Sequence, residues 1–203
     1  MLEEYNITQT TLKILGLYTV DYKKSLHLRE IARETNVDVK AIQIQMRKLE
    51  KISVLSSATR GRNKEYTLNL INIVTKYYLN MAEIFASVIC LKKNFLIKKV
   101  ISEIENKIDG SVILFGSFVK GGNTKESDVD LFVITEKKPD RNLASKTSDL
   151  INRNISIKSA TSQQFLNGLK SRDPLITEVI SNHIVLKGAD TLCGIMWRHY
   201  EAS

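Results

Sequence analysis

The stretch Ser111–Thr135, SVILFGSFVKGGNTKESDVDLFVIT, decides how the chain is read. Ser111–Phe115 is a short apolar run of the kind that forms a buried strand. Gly116-Ser117 breaks it, and a polar loop follows with Gly121, Gly122 and Asn123 as turn residues. Ser127-Asp128-Val129-Asp130 then leads into a second apolar run, Leu131–Ile134. Two strands therefore flank a glycine turn, with a pair of aspartates at the mouth of the second.

The chemistry follows from the spacing. Side chains two apart on a strand share a face, so Asp128 and Asp130 aim their carboxylates together while Val129 enters the core. Their Cα atoms are expected about 6–7 Å apart. Two bare carboxylates there repel by roughly 2–3 kcal/mol at an effective dielectric of about 20. A divalent cation removes that cost, and hard oxygen ligands suit Mg²⁺ or Mn²⁺. Gly116 lets backbone approach a ligand, and Ser117 offers a hydroxyl and, at a helix start, free N–H groups that favour phosphate. Phosphate on one side and metal on the other is the apparatus of phosphoryl or nucleotidyl transfer. A solvated acidic turn beside a Gly-Ser loop is the bland alternative.

Gly116-Ser117, a spacer at 118–127 and then Asp128-Val129-Asp130 resemble the signature of the DNA polymerase β-type nucleotidyltransferase superfamily, most closely its minimal prokaryotic members. Phe115, Gly121 after a basic residue, and Ser127 match as well. The resemblance is specific at Phe115–Asp130 and extends over about residues 90–190. It implies an α/β (α+β) domain with a small mixed sheet. It implies transfer of an NMP, plausibly AMP, from an NTP such as ATP to a hydroxyl acceptor. It also implies a third carboxylate on a neighbouring strand. The next strand candidate, Asn154–Ala160, holds no acid; Ser156 and Lys158 take its polar positions, and Asp149 and Asp173 are the nearest carboxylates in sequence. Lys120 stands at the basic position before Gly121, where an ammonium can meet a triphosphate and where a solvated loop lysine is equally ordinary.

Residues 1–70 read as a winged helix-turn-helix. Ile7–Tyr18 and Leu28–Thr35 carry helical apolar faces, Asn36-Val37 turns, and Asp38 caps a third helix to about Lys51. Ala41, Ile42, Met46 and Leu49 form its inner stripe, leaving Val39, Lys40, Gln43, Ile44 and Arg47 for duplex DNA. Val54–Ser57 and Glu65–Leu70 alternate as a hairpin would. The tip between them, with Arg60, Arg62 and Lys64, resembles a wing. The segment carries 12 basic and 8 acidic residues, and the whole chain a net charge of +8, which points to an acidic partner. A helical scaffold for a protein partner is the alternative.

Residues 71–109 hold no Gly or Pro and read as a long helical linker, in one piece or bent, whose broad apolar surface packs on a neighbouring domain or on a second copy in a homodimer. Residues 110–203 form the nucleotidyltransferase-like domain. There, helices are expected from Pro139, with Leu143 and Leu150 inward, at Ser162–Lys170, from Pro174 and at Thr191–Tyr200, covering one side of the sheet. No run approaches a membrane span, the N-terminus lacks a basic signal, and Cys90 and Cys193 read as reduced thiols of a cytoplasmic protein. Two readings result. One is a metal-dependent transferase, whose acceptor could be a toxin-like protein partner, an RNA or a small molecule. The other is a DNA-binding transcriptional regulator whose transferase-like domain senses nucleotide or only dimerises.

Overall fold

The computed structural model describes residues 7–61, 63–121 and 127–201. The chain divides into two compact units. One ends at Ala82 and takes in Tyr200; the other is Glu83–His199. The division falls inside a helix, so the 71–109 segment contributes to both.

The first unit opens with α1 (Gln9–Gly16), β1 (Leu26–His27), α2 (Leu28–Thr35) and α3 (Val39–Lys51). Ile14 and Leu15 of α1, Ile31 of α2 and Ile42, Met46 and Leu49 of α3 are buried together, as their helical spacing requires. Asp38 caps α3 by accepting from the amides of Lys40 and Ala41. Two strands follow, β2 (Leu55–Arg60) and β3 (Asn63–Leu68). Their antiparallel ladder runs from Leu55↔Leu68 to Arg60↔Asn63, so the strands extend into most of the stretch expected as the basic tip. Gly61, at φ 62°, starts the turn; Arg62 lies outside the described residues, and only the backbone of Arg60 is described. β1 adds to the edge through Leu26↔Tyr66, giving the order β1-β3-β2. That two-residue strand is too short to leave a periodic signal.

α4 (Ile73–Lys93) crosses from one unit to the other. Asn94 ends the helical run and caps α5 (Phe95–Ile104) by accepting from the Ile97 amide, so the linker is two helices. The second unit continues with β4 (Ser111–Phe115), the four-residue α6 (Ser117–Lys120), β5 (Val129–Ile134), α7 (Leu143–Ile151) and β6 (Ile155–Ala160). It closes with α8 (Ser162–Ser171), α9 (Pro174–Ser181), β7 (Ile184–Lys187) and α10 (Ala189–Glu201). The four strands make a mixed sheet in the order β6-β5-β4-β7, with β5 and β6 parallel and the other pairs antiparallel.

Helices cover both faces of this sheet, where one covered side was expected. Leu131 and Val133 point into a core with Val100 and Ile104 of α5 and Leu143 of α7. Phe132 points the other way and meets Phe165 of α8 edge-on at 5.4 Å. Burial on both faces explains why β4 and β5 read as continuous apolar runs. Leu150 is 57% exposed, contrary to expectation, because Ile151 takes the inward position at the end of α7.

A buried ion pair lies within this unit. His183, just before β7, sets Nδ1 2.9 Å from the Ile180 carbonyl and Nε2 3.0 Å from Oε1 of Glu83 on α4. Burial works against its charged form, but the Glu83 charge and the hydrogen bonds to Glu83 and the Ile180 carbonyl outweigh it and raise the imidazole pKa. Ser87, one turn along α4, donates to the Val185 carbonyl of β7.

Candidate functional site

The site is built at the end of β4. That strand is buried along its whole length and runs beside β5 with Phe115 opposite Asp130. The chain then turns at Gly116, whose φ of 74° lies in the region that L side chains rarely adopt. A Cβ built there would sit 2.6 Å from Oδ2 of Asp130. The glycine therefore brings bare backbone against an aspartate carboxylate, and Ser117 starts α6 immediately after. α6 ends at Gly121, at φ 73°; the expected turn residues Gly122 and Asn123 lie outside the described residues.

Asp128 is exposed just before β5, Val129 is fully buried, and Asp130 is half-buried on the strand. The carboxyl of Asp130 is raised above the ordinary aspartate range, first by burial and then by the charges of Asp128 and Glu178, with Lys158 opposing. Its environment is thus one that a cation would relieve. The two hard carboxylate donors, one of them lying against bare Gly116 backbone, fit Mg²⁺ or Mn²⁺. No group of three or more His, Cys, Asp or Glu able to hold a metal occurs among the described residues. An ion bound by the aspartates would complete its shell with substrate phosphate and water.

The flanking strand carries no acid. In the parallel ladder, Ser156 lies opposite Asp130 and Lys158 opposite Phe132. Asp173, one of the two nearest acids in sequence, caps α9 by accepting from the Ile176 amide, and Asp149 is exposed on α7. The acid that does act on Asp130 is Glu178 of α9, which sequence reading missed. It is the only acid within the helix PLITEVIS, but nothing in that pattern says which strand end the helix will overlie. Glu178 also accepts an ion pair from Lys120 at 3.2 Å, so the loop lysine is engaged by protein.

On the first unit, Val39, Lys40, Gln43, Ile44 and Arg47 are all exposed on α3, as expected from the buried stripe opposite them. Lys64 is tied back to Glu50 at the end of α3 at 2.9 Å, and its ammonium lies 5.0 Å from the Tyr66 ring centroid. Burial pushes the Glu50 carboxyl up, but hydrogen bonds from Ser57 and Lys64 outweigh it and hold the group low. Neither cysteine forms a disulfide, and no described helix is long and apolar enough to cross a membrane.

Comparison with curated proteins finds no match. Among solved structures, the chain is similar to one described as the crystal structure of the toxin-antitoxin with AMP-PNP, at 18% identity and a TM-score of 0.38, covering 52% of this chain and 86% of that one. Residues 96–182, which hold Gly116, Ser117, Asp128, Asp130 and Glu178, match the family model of the nucleotidyltransferase domain.

Proposed function

We propose that this protein is a metal-dependent nucleotidyltransferase that moves an NMP, AMP from ATP in the first instance, onto a hydroxyl acceptor. The observation that carries the reading is the close approach of Gly116 backbone to the Asp130 carboxylate, beside Asp128, inside the matched segment. Asp128 and Asp130 are the residues that would hold Mg²⁺ or Mn²⁺; such an ion supplies charge stabilisation at the α-phosphate and a fixed orientation for the triphosphate. Gly116 lets the Asp130 carboxylate lie against bare backbone, and the Ser117 hydroxyl beside it is the donor for phosphate. In the reaction the acceptor oxygen bonds to the α-phosphorus, the α–β bridging P–O bond breaks, pyrophosphate leaves and the hydroxyl proton passes to water. Ser156 opposite Asp130 provides no carboxylate base from β6, and we assign proton removal to water. Acceptors open to this chemistry are a protein side chain, such as that of a toxin-like partner, an RNA or a small molecule.

The first unit is read as a winged helix that binds duplex DNA, with residues 1–70 as its domain, 71–109 as the helical connection and 110–203 as the transferase-like domain. Its support is the exposed set Val39, Lys40, Gln43, Ile44 and Arg47 on one helix of a basic segment. Exposed Ile73, Tyr77, Ile84 and Val88 along α4 support a homodimer. The ladder position of Ser156 favours a second reading, a DNA-binding regulator that senses nucleotide without turning it over.

Incubation with α-labelled ATP and Mg²⁺, alone and with candidate acceptors, separates the two. Label transferred by the wild type and not by Asp128→Ala/Asp130→Ala supports the enzyme. Tight nucleotide binding with no transfer to any acceptor supports the sensor.

A further inference from the structure

Lys158 of β6 stands on the sheet face that carries Asp130. The β5–β6 ladder is parallel, so residues opposite each other point to one face. Ser156 is opposite Asp130 and Lys158 is opposite Phe132, which places Lys158 on the face of Asp130, one strand across and one pleat further along. Phe132 is sealed under Phe165, whereas Lys158 is exposed, so its ammonium leaves the sheet toward solvent. Its charge reaches Asp130, which it favours in the ionised form.

The other lysines of this unit that bear on the question are occupied. Lys120 is paired with Glu178, and Lys187 donates to the Glu105 and Ile108 carbonyls. Among the described residues, Lys158 has no ion-pair partner. A triphosphate entering beside Asp128 and Asp130 meets like charge from both, and one divalent ion offsets only part of it.

We propose that Lys158 is the phosphate-binding lysine of this centre, meeting the nucleotide's phosphates from the strand on which the resemblance implies an acid, while Lys120 stays with Glu178. The proposal rests on the nucleotide-binding reading above. It gives β6 a role in binding the substrate's anionic end and needs no third carboxylate there.

The test is calorimetric binding of a non-hydrolysable ATP analogue with Mg²⁺ to the full chain, at several salt concentrations. Lys158→Met is expected to raise Kd about tenfold or more and to flatten its salt dependence, since a charge-assisted phosphate contact is lost. Lys158→Arg is expected to restore most of the affinity. Lys98→Met, on α5 against the opposite sheet face, serves as the control and leaves Kd unchanged. Equal Kd for wild type and Lys158→Met overturns the proposal and leaves Lys158 as a charge that protects an open sheet edge. Wild type that binds no nucleotide overturns the reading beneath it as well.

Discussion

Gly116 and Asp130 face each other at the ends of β4 and β5 so closely that a methyl group on the glycine would lie 2.6 Å from the aspartate Oδ2. The two halves of the motif are thus one contact. Gly116→Ala is expected to push the Asp130 carboxylate out of place and to strain a backbone at φ 74°. A stability loss of about 1–2 kcal/mol follows from the backbone alone. Urea unfolding measures that loss, and calorimetry should show nucleotide affinity falling by more than tenfold.

Asp130 should destabilise the metal-free fold at neutral pH. Its carboxyl is raised in the folded state, so folding favours the protonated form. The benefit is fully present below the unfolded aspartate pKa and is lost as pH rises through the folded value. Asp130→Asn is therefore expected to be more stable than wild type at pH 7, with the difference closing in acid. Thermal melts from pH 3 to 8, without divalent ions, check the sign. A more stable but inactive variant would show that the charge is kept for function.

The Glu83–His183 pair loses its contribution in the same direction, as pH rises, but here the native charged pair stabilises the fold. The imidazole pKa is raised, so its contribution to stability is complete below the ordinary histidine value and is lost as pH climbs through the folded one. Glu83→Gln removes the counter-charge from a buried site and should cost about 3–5 kcal/mol at pH 6. Denaturation at pH 6 and pH 9 should show a smaller penalty at the higher pH.

Duplex DNA should bind through α3. Removing Lys40, Gln43 and Arg47 together is expected to abolish sequence preference and to weaken binding at least tenfold in fluorescence anisotropy. Lys64→Ala should act less through DNA than through its ion pair with Glu50, an exposed contact worth up to about 1 kcal/mol. Binding that is insensitive both to salt and to the α3 changes would remove DNA from the account.

What could be read in advance was local. β4 and β5 announced themselves because both their faces are buried, and Asp38 marked the start of α3 with its own side chain. The glycine turn and the two aspartates were legible as a motif, since each residue's chemistry is carried by its type and spacing. Glu83 and His183 stand 100 residues apart, and no periodicity links them. Glu178 reaches the site only because α9 packs over that end of the sheet, and Lys158 matters only once the β5–β6 register is known. Leu150 and Ile151 are both apolar, and only the packing of α7 decides which one turns inward.

The central claim is that Asp128 and Asp130 bind a nucleotide's metal-bound phosphates across from Gly116. Calorimetric titration of ATP with Mg²⁺ into wild type and into Asp128→Ala/Asp130→Ala tests it directly. Saturable binding at one site per chain by the wild type, lost in the double variant, is the predicted result. Equal affinity in the two proteins would contradict it.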